Sequence, residues 1–376
     1  MHAMGRFSAL LASVLILAGC RTGGLPFGMT KYGEAASLYT LRDPDGGLVL
    51  EVTDFGGRLV RCWAPDRWGR LADVALGWNT VAEYERYGFS AGALVGRYAN
   101  RIADGRFSID GREFRLAVNE AKPPRRSNIH GGPRGWSTKV WKVVERSTSR
   151  IVFELVSPDG DMGFPGTVKA RVTYSVPGGG RWVVRYEAVT DRPTVVNLTN
   201  HSYWNLAGEA SGTVLGQRLA INADRYTQTD ERRIPVKDAP VDGTVFDFRR
   251  PRAIGSMADR MAALPELRAT GGWYDHNFVL NGAGGEMKPA CELSDPVSGR
   301  VLEIWTTEPC LQVYTAQDMT TGLPAKEKGR TLCPCAGVAL ETQHYPDSPN
   351  HPEFPTTVLR PGETFRSETV YRFGAR

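Results

Sequence analysis

The chain has 376 residues, of which 41% are hydrophobic, 23% charged and 10% aromatic. This composition is globular and excludes a disordered, collagen-like or multi-spanning membrane protein. The formal net charge of +5 is small for this length and the basic residues are scattered, so we expect no nucleic-acid partner. The 42 Gly and 24 Pro show no period, which predicts many turns between short strands.

The N-terminal twenty residues have the pattern of a bacterial export signal. Arg6 precedes an apolar run over residues 9–18, which is too short to span a bilayer as a helix. A buried core helix is the alternative, but polar sequence rich in Gly and Thr follows directly. The residues LAGC at 17–20 resemble a lipobox, in which the cysteine is lipidated and becomes the first residue of the mature chain.

The signal sets the expected domain organisation and location. We expect a lipoprotein signal peptide over residues 1–19, a lipidated Cys20 with a tether over residues 20–30, and one domain over residues 31–376. A lipid anchor implies a periplasm-facing position on the bacterial cell envelope. Arg21 and not Asp follows the cysteine, which by resemblance to enterobacterial sorting rules favours the outer membrane.

Alternating or short apolar runs bounded by turn residues predict β-strands along the rest of the chain. The clearest runs are residues 48–52, 151–156, 168–174, 182–187 and 301–306. Asp110-Gly111 predicts a hairpin turn within residues 107–114. A short helix is predicted over residues 254–267, ending near Pro265. The sum is an all-β, antiparallel β-sandwich with long loops.

The cysteines other than Cys20 are odd in number and cannot all pair with one another. They are Cys62, Cys291, Cys310, Cys333 and Cys335. No Cys/His spacing matches a zinc site. We therefore interpret these side chains mostly as small buried hydrophobic groups.

His201 and Glu341 are the best candidates for acid/base chemistry. His201 follows a strand-like stretch and lies among hydrogen-bonding residues, and a histidine near its ordinary pKa of ~6.5 exchanges protons near neutrality. Glu341 follows an apolar run, where burial would raise the carboxyl pKa and make it a better base. The alternative for His201 is a purely structural histidine, and the alternative for Glu341 is a salt bridge at the end of a strand.

A G-x-S-x-G pattern over residues 88–92 suggests a hydrolase nucleophile, but it carries weight only between a strand and a helix of an α/β sheet. The chain is predicted to be all-β, so we interpret this match as chance. Residues 282–285 lack the Lys-Ser/Thr of a phosphate loop and are predicted to form a turn.

Taken in order, several segments resemble the aldose 1-epimerase family, also called galactose mutarotase. They are GRYANRI at 96–102, NIHGG at 128–132, SPDG at 157–160, NLTNHSYWNL at 197–206, ADRY at 223–226, GTVFDFR at 243–249, YDHNF at 274–278, TEPCLQVYT at 307–315 and LETQHYPDSPN at 340–350. Together the matches cover about residues 47–373.

The resemblance implies a galactose mutarotase-like supersandwich that interconverts the α and β anomers of free aldoses such as D-glucose and D-galactose. By motif position, His201 would be the general acid and Glu341 the general base. The residues expected to hold sugar hydroxyls are Asn100, Arg101, His130, Tyr203, Asp275 and Gln312. The family needs no metal or organic cofactor, and we expect a monomer or weak dimer.

The chemistry of this reaction fits these residue types. Ring opening removes a proton from the anomeric O1 while ring O5 gains one, so Glu341 must start ionised and His201 protonated. Departures from the family pattern at Cys310, Ala316 and Gln317 bear on sugar specificity. The basic loop over residues 121–127 keeps a phosphorylated sugar as an alternative substrate.

Two alternative functions remain at this stage. The first is a carbohydrate-binding lipoprotein of the same fold without catalysis. The second is a glycoside hydrolase, which needs two carboxylates ~5–10 Å apart and could use only Asp275 and Glu341.

Overall fold

The computed structural model describes residues 23–376, so the expected signal peptide over residues 1–19 and the lipidation site Cys20 lie outside the described residues. Within the described part, no helix is both long enough and apolar enough to cross a bilayer.

Strands dominate the described chain. They are β1 (Leu25–Met29), β2 (Ala35–Arg42), β3 (Val49–Thr53), β4 (Arg58–Pro65), β5 (Leu71–Asp73), β6 (Leu94–Val95), β7 (Arg101–Ala103), β8 (Arg106–Ile109), β9 (Arg112–Arg115), β10 (Ser127–Ile129), β11 (Lys142–Arg146), β12 (Arg150–Ser157), β13 (Val168–Gly178), β14 (Arg181–Thr190), β15 (Thr194–Val195), β16 (Thr199–Asn200), β17 (Tyr203–Trp204), β18 (Arg218–Ile221), β19 (Arg225–Thr229), β20 (Pro235–Pro240), β21 (Arg252–Ala253), β22 (Asp275–Val279), β23 (Lys288–Ser294), β24 (Arg300–Thr306), β25 (Cys310–Tyr314), β26 (Leu323–Pro324), β27 (Thr331–Leu332), β28 (Val338–Gln343), β29 (Val358–Leu359) and β30 (Phe365–Ala375). The α-helices are α1 (Val81–Tyr87), α2 (Ala258–Met261) and α3 (Pro265–Ala269).

Three larger sheets carry the architecture. A five-stranded sheet has the order β1-β2-β3-β4-β5, and a nine-stranded sheet the order β11-β12-β13-β14-β30-β24-β23-β18-β21. A six-stranded sheet has the order β17-β28-β25-β22-β19-β20. All the pairings within these sheets are antiparallel, as the sequence predicts for a β-sandwich.

The main core lies between the nine-stranded and six-stranded sheets. Leu311, Val313 and Leu340 of the six-stranded sheet share one buried cluster with Ile304 and Tyr371 of the nine-stranded sheet. Burying apolar area of this kind is the main term that stabilises a sandwich. Five tryptophans are fully buried, at positions 78, 136, 141, 182 and 204. Five of the nine tryptophans therefore belong to the core.

Strand alternation puts polar side chains on the other face of the six-stranded sheet. Along β28, Leu340 faces the core, whereas Glu341 points to the opposite face because successive side chains alternate. The register sets Gln312 of β25 opposite both Glu341 and Asn277 of β22. Polar residues from three adjacent strands thus form a row on the face that the connecting loops cover.

The strand predictions agree with the structure. The runs at 48–52, 151–156, 168–174, 182–187 and 301–306 lie in β3, β12, β13, β14 and β24. The hairpin over Asp110-Gly111 is formed by β8 and β9. The single helix predicted over residues 254–267 is wrong, because two short helices form and Pro265 begins the second, where its missing N–H costs nothing.

Part of the expected tether over residues 20–30 is structured. Leu25–Met29 forms β1, which pairs with β2. Phe27 is buried, and its ring centroid lies 6.1 Å from that of Tyr84 in α1. A backbone ladder and a buried aromatic ring fix this segment, so the free part of a tether would end before Leu25.

The cysteines at 62, 291, 310, 333 and 335 are free, and all but the partly exposed Cys333 are buried. Burial raises the pKa of Cys62, Cys291, Cys310 and Cys335, which keeps their thiols protonated. These side chains therefore act as small hydrophobic groups, as the sequence indicates.

A partly buried ion pair makes a pH-dependent contribution to stability. His344 Nδ1 lies 2.6 Å from Glu308 Oε2; burial alone would lower the pKa of His344, but Glu308 outweighs it and raises the pKa. This stabilisation is complete below the unfolded-state pKa of ~6.5 and is lost as the pH rises through the raised folded-state value. We expect His344→Gln to lower the free energy of unfolding by on the order of 1 kcal/mol at pH 6 and by less at pH 9. Urea denaturation at both pH values measures this, and a difference that grows with pH would contradict it.

Candidate active site

A cleft of about 240 Å³ opens on the polar face of the six-stranded sheet. Its lining residues are Phe89, Ser90, Asn100, Arg101, Glu120, Arg125, Ile129, His130, His201, Tyr203, Arg233, Asp275, Tyr314, Asp318 and Glu341. The cleft contains seven of the eight residues predicted to act on or bind the sugar. The eighth, Gln312, lies behind Asp275 and donates from Nε2 to its Oδ1 at 2.7 Å.

His201 and Glu341 meet at the base of the cleft. Glu341 is held by β28 in the middle of the sheet, and His201 directly follows the two-residue strand β16. Nε2 of His201 lies 3.7 Å from Oε1 of Glu341, and both side chains are buried. Oε2 of Glu341 and Nδ1 of His201 have no partner among the described residues. The two groups are close enough to act on one small molecule at the same time.

His130 lies beside this pair in a loop that requires glycine. Its ring centroid lies 5.2 Å from that of His201. Gly131 follows with φ +81°, and a Cβ there would lie 2.1 Å from the carbonyl oxygen of Gly96. His130 Nδ1 accepts from the backbone N–H of Asn100 at 3.2 Å. The neutral ring therefore carries its proton on Nε2 and is a hydrogen-bond donor.

This tautomer also bears on metal binding. Potential ligand atoms of His130, His201 and Glu341 all lie within 4.8 Å of one another, which is the spacing of a possible metal site. A metal needs a lone pair on the histidine nitrogen. The contact with Asn100 uses the lone pair of Nδ1 and leaves Nε2 protonated, so the geometry fits His130 as a donor to an oxygen better than as a ligand.

Charged groups of alternating sign form one wall of the cleft. Arg125 Nη1 lies 3.0 Å from Glu120 Oε1, and Glu120 Oε2 lies 2.8 Å from Arg101 Nε. Arg101 Nη2 lies 3.5 Å from Asp275 Oδ2, which also accepts from Arg233 Nη1 at 3.1 Å. Such pairing is what permits charged groups to be buried. We call this set, with Asp318 beside Arg233, the charged wall.

Aromatic rings line the cleft beside His201. The His201 ring lies 4.8 Å from that of Tyr203, measured between centroids, and 6.4 Å from that of Tyr314. Tyr203 OH donates to the carbonyl oxygen of Phe89 at 3.1 Å, which ties the loop after α1 to the cleft. A cleft that combines apolar ring faces with hydrogen-bonding groups suits a compact polyol, whose carbon faces are apolar and whose rim carries hydroxyls.

The pKa values show how a proton is distributed in the sugar-free cleft. Burial lowers the pKa of His201 to about 4. Burial also raises the pKa of Glu341 well above its ordinary value, and Asp275 raises it further. Between these two values the pair holds one proton, which resides on Glu341. The sequence argument instead expects a proton on His201 at the start of the reaction.

Asp275 has the opposite character. Burial alone would raise its pKa, but Arg101 and Arg233 lower it to about 2. Asp275 is therefore ionised at neutral pH and can only accept hydrogen bonds. In a glycoside hydrolase that used these two carboxyl groups, only Glu341 could be the proton donor. Asp275 would then have to be the base or nucleophile, although two guanidinium groups already hold it.

Comparison with known proteins decides the family. Residues 37–372 match the sequence model of the family described as aldose 1-epimerase. The chain belongs to the aldose 1-epimerase family. It is 39% identical to human galactose mutarotase over 327 residues, which is 87% of this chain and 91% of the human protein. It is 37% identical to aldose 1-epimerase of Escherichia coli K12, covering 91% and 96% of the two chains.

Solved structures of this family have the same fold. An aldose epimerase homologue from C. elegans matches with a TM-score of 0.81 at 29% identity, covering 91% of this chain and 99% of that one. Galactose 1-epimerase from Lactobacillus acidophilus matches with a TM-score of 0.79 at 26% identity, covering 94% and 98%. The predicted β-sandwich is confirmed, and so is the activity: the chain is an isomerase that interconverts the anomers of aldoses.

The charged or polar cleft residues that the sequence argument did not predict include Glu120, Arg233, Asp318 and Ser90. Ser90 belongs to the G-x-S-x-G match, but it follows α1 in a tight loop with φ +51°, not a strand-to-helix turn. Arg233 belongs to the charged run DERR at 230–233, and no sequence signal distinguishes its inward-pointing member. Glu120 and Asp318 are isolated acidic residues in segments without a regular pattern.

Proposed function

We propose that His201 and Glu341 are the proton-transfer pair for anomer interconversion in this chain. The observation that carries the proposal is the 3.7 Å approach of His201 Nε2 to Glu341 Oε1 in a buried cleft. Two groups at this spacing can reach O1 and O5 of one pyranose, which are bonded to the same carbon. His130 Nε2–H and Arg101 supply donors that stabilise charge on the sugar oxygens.

The reaction balances with a single shared proton. When sugar hydroxyls donate to Glu341, they favour its ionised form, and the proton moves to His201. Glu341 then takes the O1 proton as the C1–O5 bond breaks, and His201 gives its proton to O5. The aldehyde rotates about C1–C2, and the ring closes on its other face with both transfers reversed. No proton is gained or lost over the cycle.

The shared proton gives a defined pH dependence. Below about 4 both groups are protonated and the base is lost, whereas above the raised pKa of Glu341 both are deprotonated and the acid is lost. We expect kcat/KM to form a broad plateau through neutrality and to fall on both sides. Buffer-corrected polarimetry from pH 3.5 to 10 measures it. A loss of activity as the pH rises through ~6.5, the ordinary pKa of histidine, would contradict the shared-proton account.

We propose neutral free aldoses, with D-galactose and D-glucose foremost, as substrates. The name of the human relative, galactose mutarotase, supports galactose. The charged wall supports a neutral sugar, because its three arginines face three carboxylates: Arg101, Arg125 and Arg233 against Glu120, Asp275 and Asp318. Arg125 is the cleft-lining member of the basic loop at 121–127, and it is already paired with Glu120.

This charge balance predicts discrimination against phosphorylated sugars. We expect kcat/KM for D-galactose to exceed that for D-galactose 6-phosphate by at least about tenfold, because a dianion finds no unpaired cation in the cleft. Nuclear magnetic resonance of anomer exchange measures both sugars under the same conditions. Equal or higher kcat/KM for the phosphate would overturn the neutral-aldose proposal.

We also propose that the chain is a lipoprotein anchored through Cys20 in the bacterial cell envelope. The support is the lipobox-like LAGC at 17–20 behind a short apolar run. Four residues separate Cys20 from β1, and four extended residues reach about 14 Å, so the domain would lie close to the lipid surface. Mass spectrometry of the mature N-terminus tests this, with Cys20→Ser as the control. An unmodified N-terminus upstream of Cys20 would overturn it.

A further inference from the structure

Arg233 occupies a turn that directs its side chain into the cleft. The turn joins β19 to β20, and Asp230 fixes it by accepting from the backbone N–H of Arg232 and of Ile234 at 2.8 and 3.0 Å. Arg233 has φ +64°, a conformation that non-glycine residues adopt rarely. Its side chain is only 6% exposed, whereas that of the adjacent Arg232 is 38% exposed.

The Arg233 guanidinium is held on two sides. Nε donates to the carbonyl oxygen of Ala269 at the end of α3, and Nη1 donates to Asp275 at 3.1 Å. Asp318 Oδ2 lies 3.6 Å from the same Nη1. Nη2 has no protein acceptor among residues 23–376, and the side chain lines the cleft. One end of the group is therefore fixed, and the other is available to a ligand.

Asp275 is the residue that depends on this arrangement. Arg101 and Arg233 both contact its Oδ2, and Gln312 donates to Oδ1. An ionised carboxylate offers about four acceptor positions, so at least one remains for a sugar hydroxyl. Without Arg233, the carboxylate would lose its shorter ion pair and could turn from the cleft.

We propose that Arg233 is a sugar-binding residue that holds Asp275 as an acceptor for one hydroxyl and donates from Nη2 to a neighbouring oxygen of the aldose. This inference rests on the proposed reaction at the His201–Glu341 pair. It assigns Arg233 to substrate binding and not to proton transfer, because its contacts lie on the charged wall.

The test compares Arg233→Met with Arg232→Met, since the two adjacent arginines differ in whether they face the cleft. Polarimetry with D-galactose gives KM and kcat, and circular dichroism checks folding. We expect Arg233→Met to raise KM at least about tenfold, the worth of a charge-assisted hydrogen bond, with kcat changed by less than about threefold. Arg232→Met should match the wild type.

A panel of 2-, 3-, 4- and 6-deoxygalactose separates direct contact from a merely structural role. The wild type should have a raised KM for the analogue that lacks the contacted hydroxyl. For that analogue, the additional rise in KM caused by Arg233→Met should be the smallest of the panel. A structural role would raise KM equally for all of them. Equal effects across the panel would overturn the proposed contact.

The remaining outcomes are separable. An inactive wild type would overturn the proposed galactose substrate, whereas an active wild type with an unchanged KM in folded Arg233→Met would overturn the role of Arg233 alone. If Arg233→Met does not fold, Arg233→Lys keeps the charge but cannot contact Ala269, Asp275 and the sugar together. We expect it to raise KM by about threefold or more, and an unchanged KM would overturn the inference.

Discussion

Replacing Glu341 with glutamine is expected to lower kcat for anomer interconversion by about 10²–10⁴-fold, the usual contribution of one positioned proton transfer. Glutamine has the same shape as glutamate, and it replaces a carboxyl group whose pKa is raised by burial, so its lack of charge suits this position. The substitution should therefore leave the fold and KM nearly unchanged. Only the ability to take the O1 proton is lost.

The measurement is the rate at which fresh α-D-galactose changes its optical rotation, corrected for the spontaneous reaction. Glu363→Gln is the control, because Glu363 is exposed and lies outside the cleft lining. Folded Glu341→Gln with wild-type kcat would show that Glu341 is not the base. A large loss of kcat in Glu363→Gln would instead indicate a general effect of the substitution.

Replacing His201 with asparagine is expected to lower kcat by a similar factor of about 10²–10⁴. Asparagine can still donate a hydrogen bond to a sugar oxygen, but it cannot transfer a proton to O5. The control is His351→Asn, since His351 lies outside the cleft lining and pairs with Glu353. Polarimetry and thermal unfolding of both variants check the prediction, and retention of more than a tenth of wild-type kcat in His201→Asn would contradict it.

The two substitutions should not be additive. Because one proton serves both groups, either single change disables the transfer, and the double variant should be no more than about tenfold slower than the slower single variant. Fully multiplicative losses would mean that His201 and Glu341 act in separate steps.

The strands of this fold are predictable because their information is local. Period-2 patterns in β12, β13 and β14 and the Asp-Gly turn between β8 and β9 need no distant contacts to be recognised. The helix prediction near Pro265 failed because a proline can either end a helix or begin one. Only packing decides between the two, and here Pro265 begins α3. The pairing of β14 with β30 joins residues nearly 190 positions apart, which no local pattern contains.

The site was partly predictable. His201, Glu341 and most of the sugar-binding set follow from motif order, and the cleft contains them. The raised pKa of Glu341 was predicted from its apolar strand, but the lowered pKa of His201 was not, because it depends on burial by distant parts of the chain. Arg232 and Arg233 look equivalent in sequence, and the strained turn after Asp230 decides that only Arg233 faces the cleft. Gln312 was predicted to hold a sugar hydroxyl, and its side chain donates to Asp275 from outside the cleft lining.

The most direct test of the central claim is two-dimensional exchange nuclear magnetic resonance of D-galactose at anomeric equilibrium. With catalytic amounts of wild-type protein, we predict strong cross-peaks between the H1 signals of the α and β anomers. The same concentration of folded Glu341→Gln should give only the weak exchange of buffer alone. Absence of exchange with the wild type, or equal exchange with Glu341→Gln, would contradict the account of His201 and Glu341 as the proton-transfer pair.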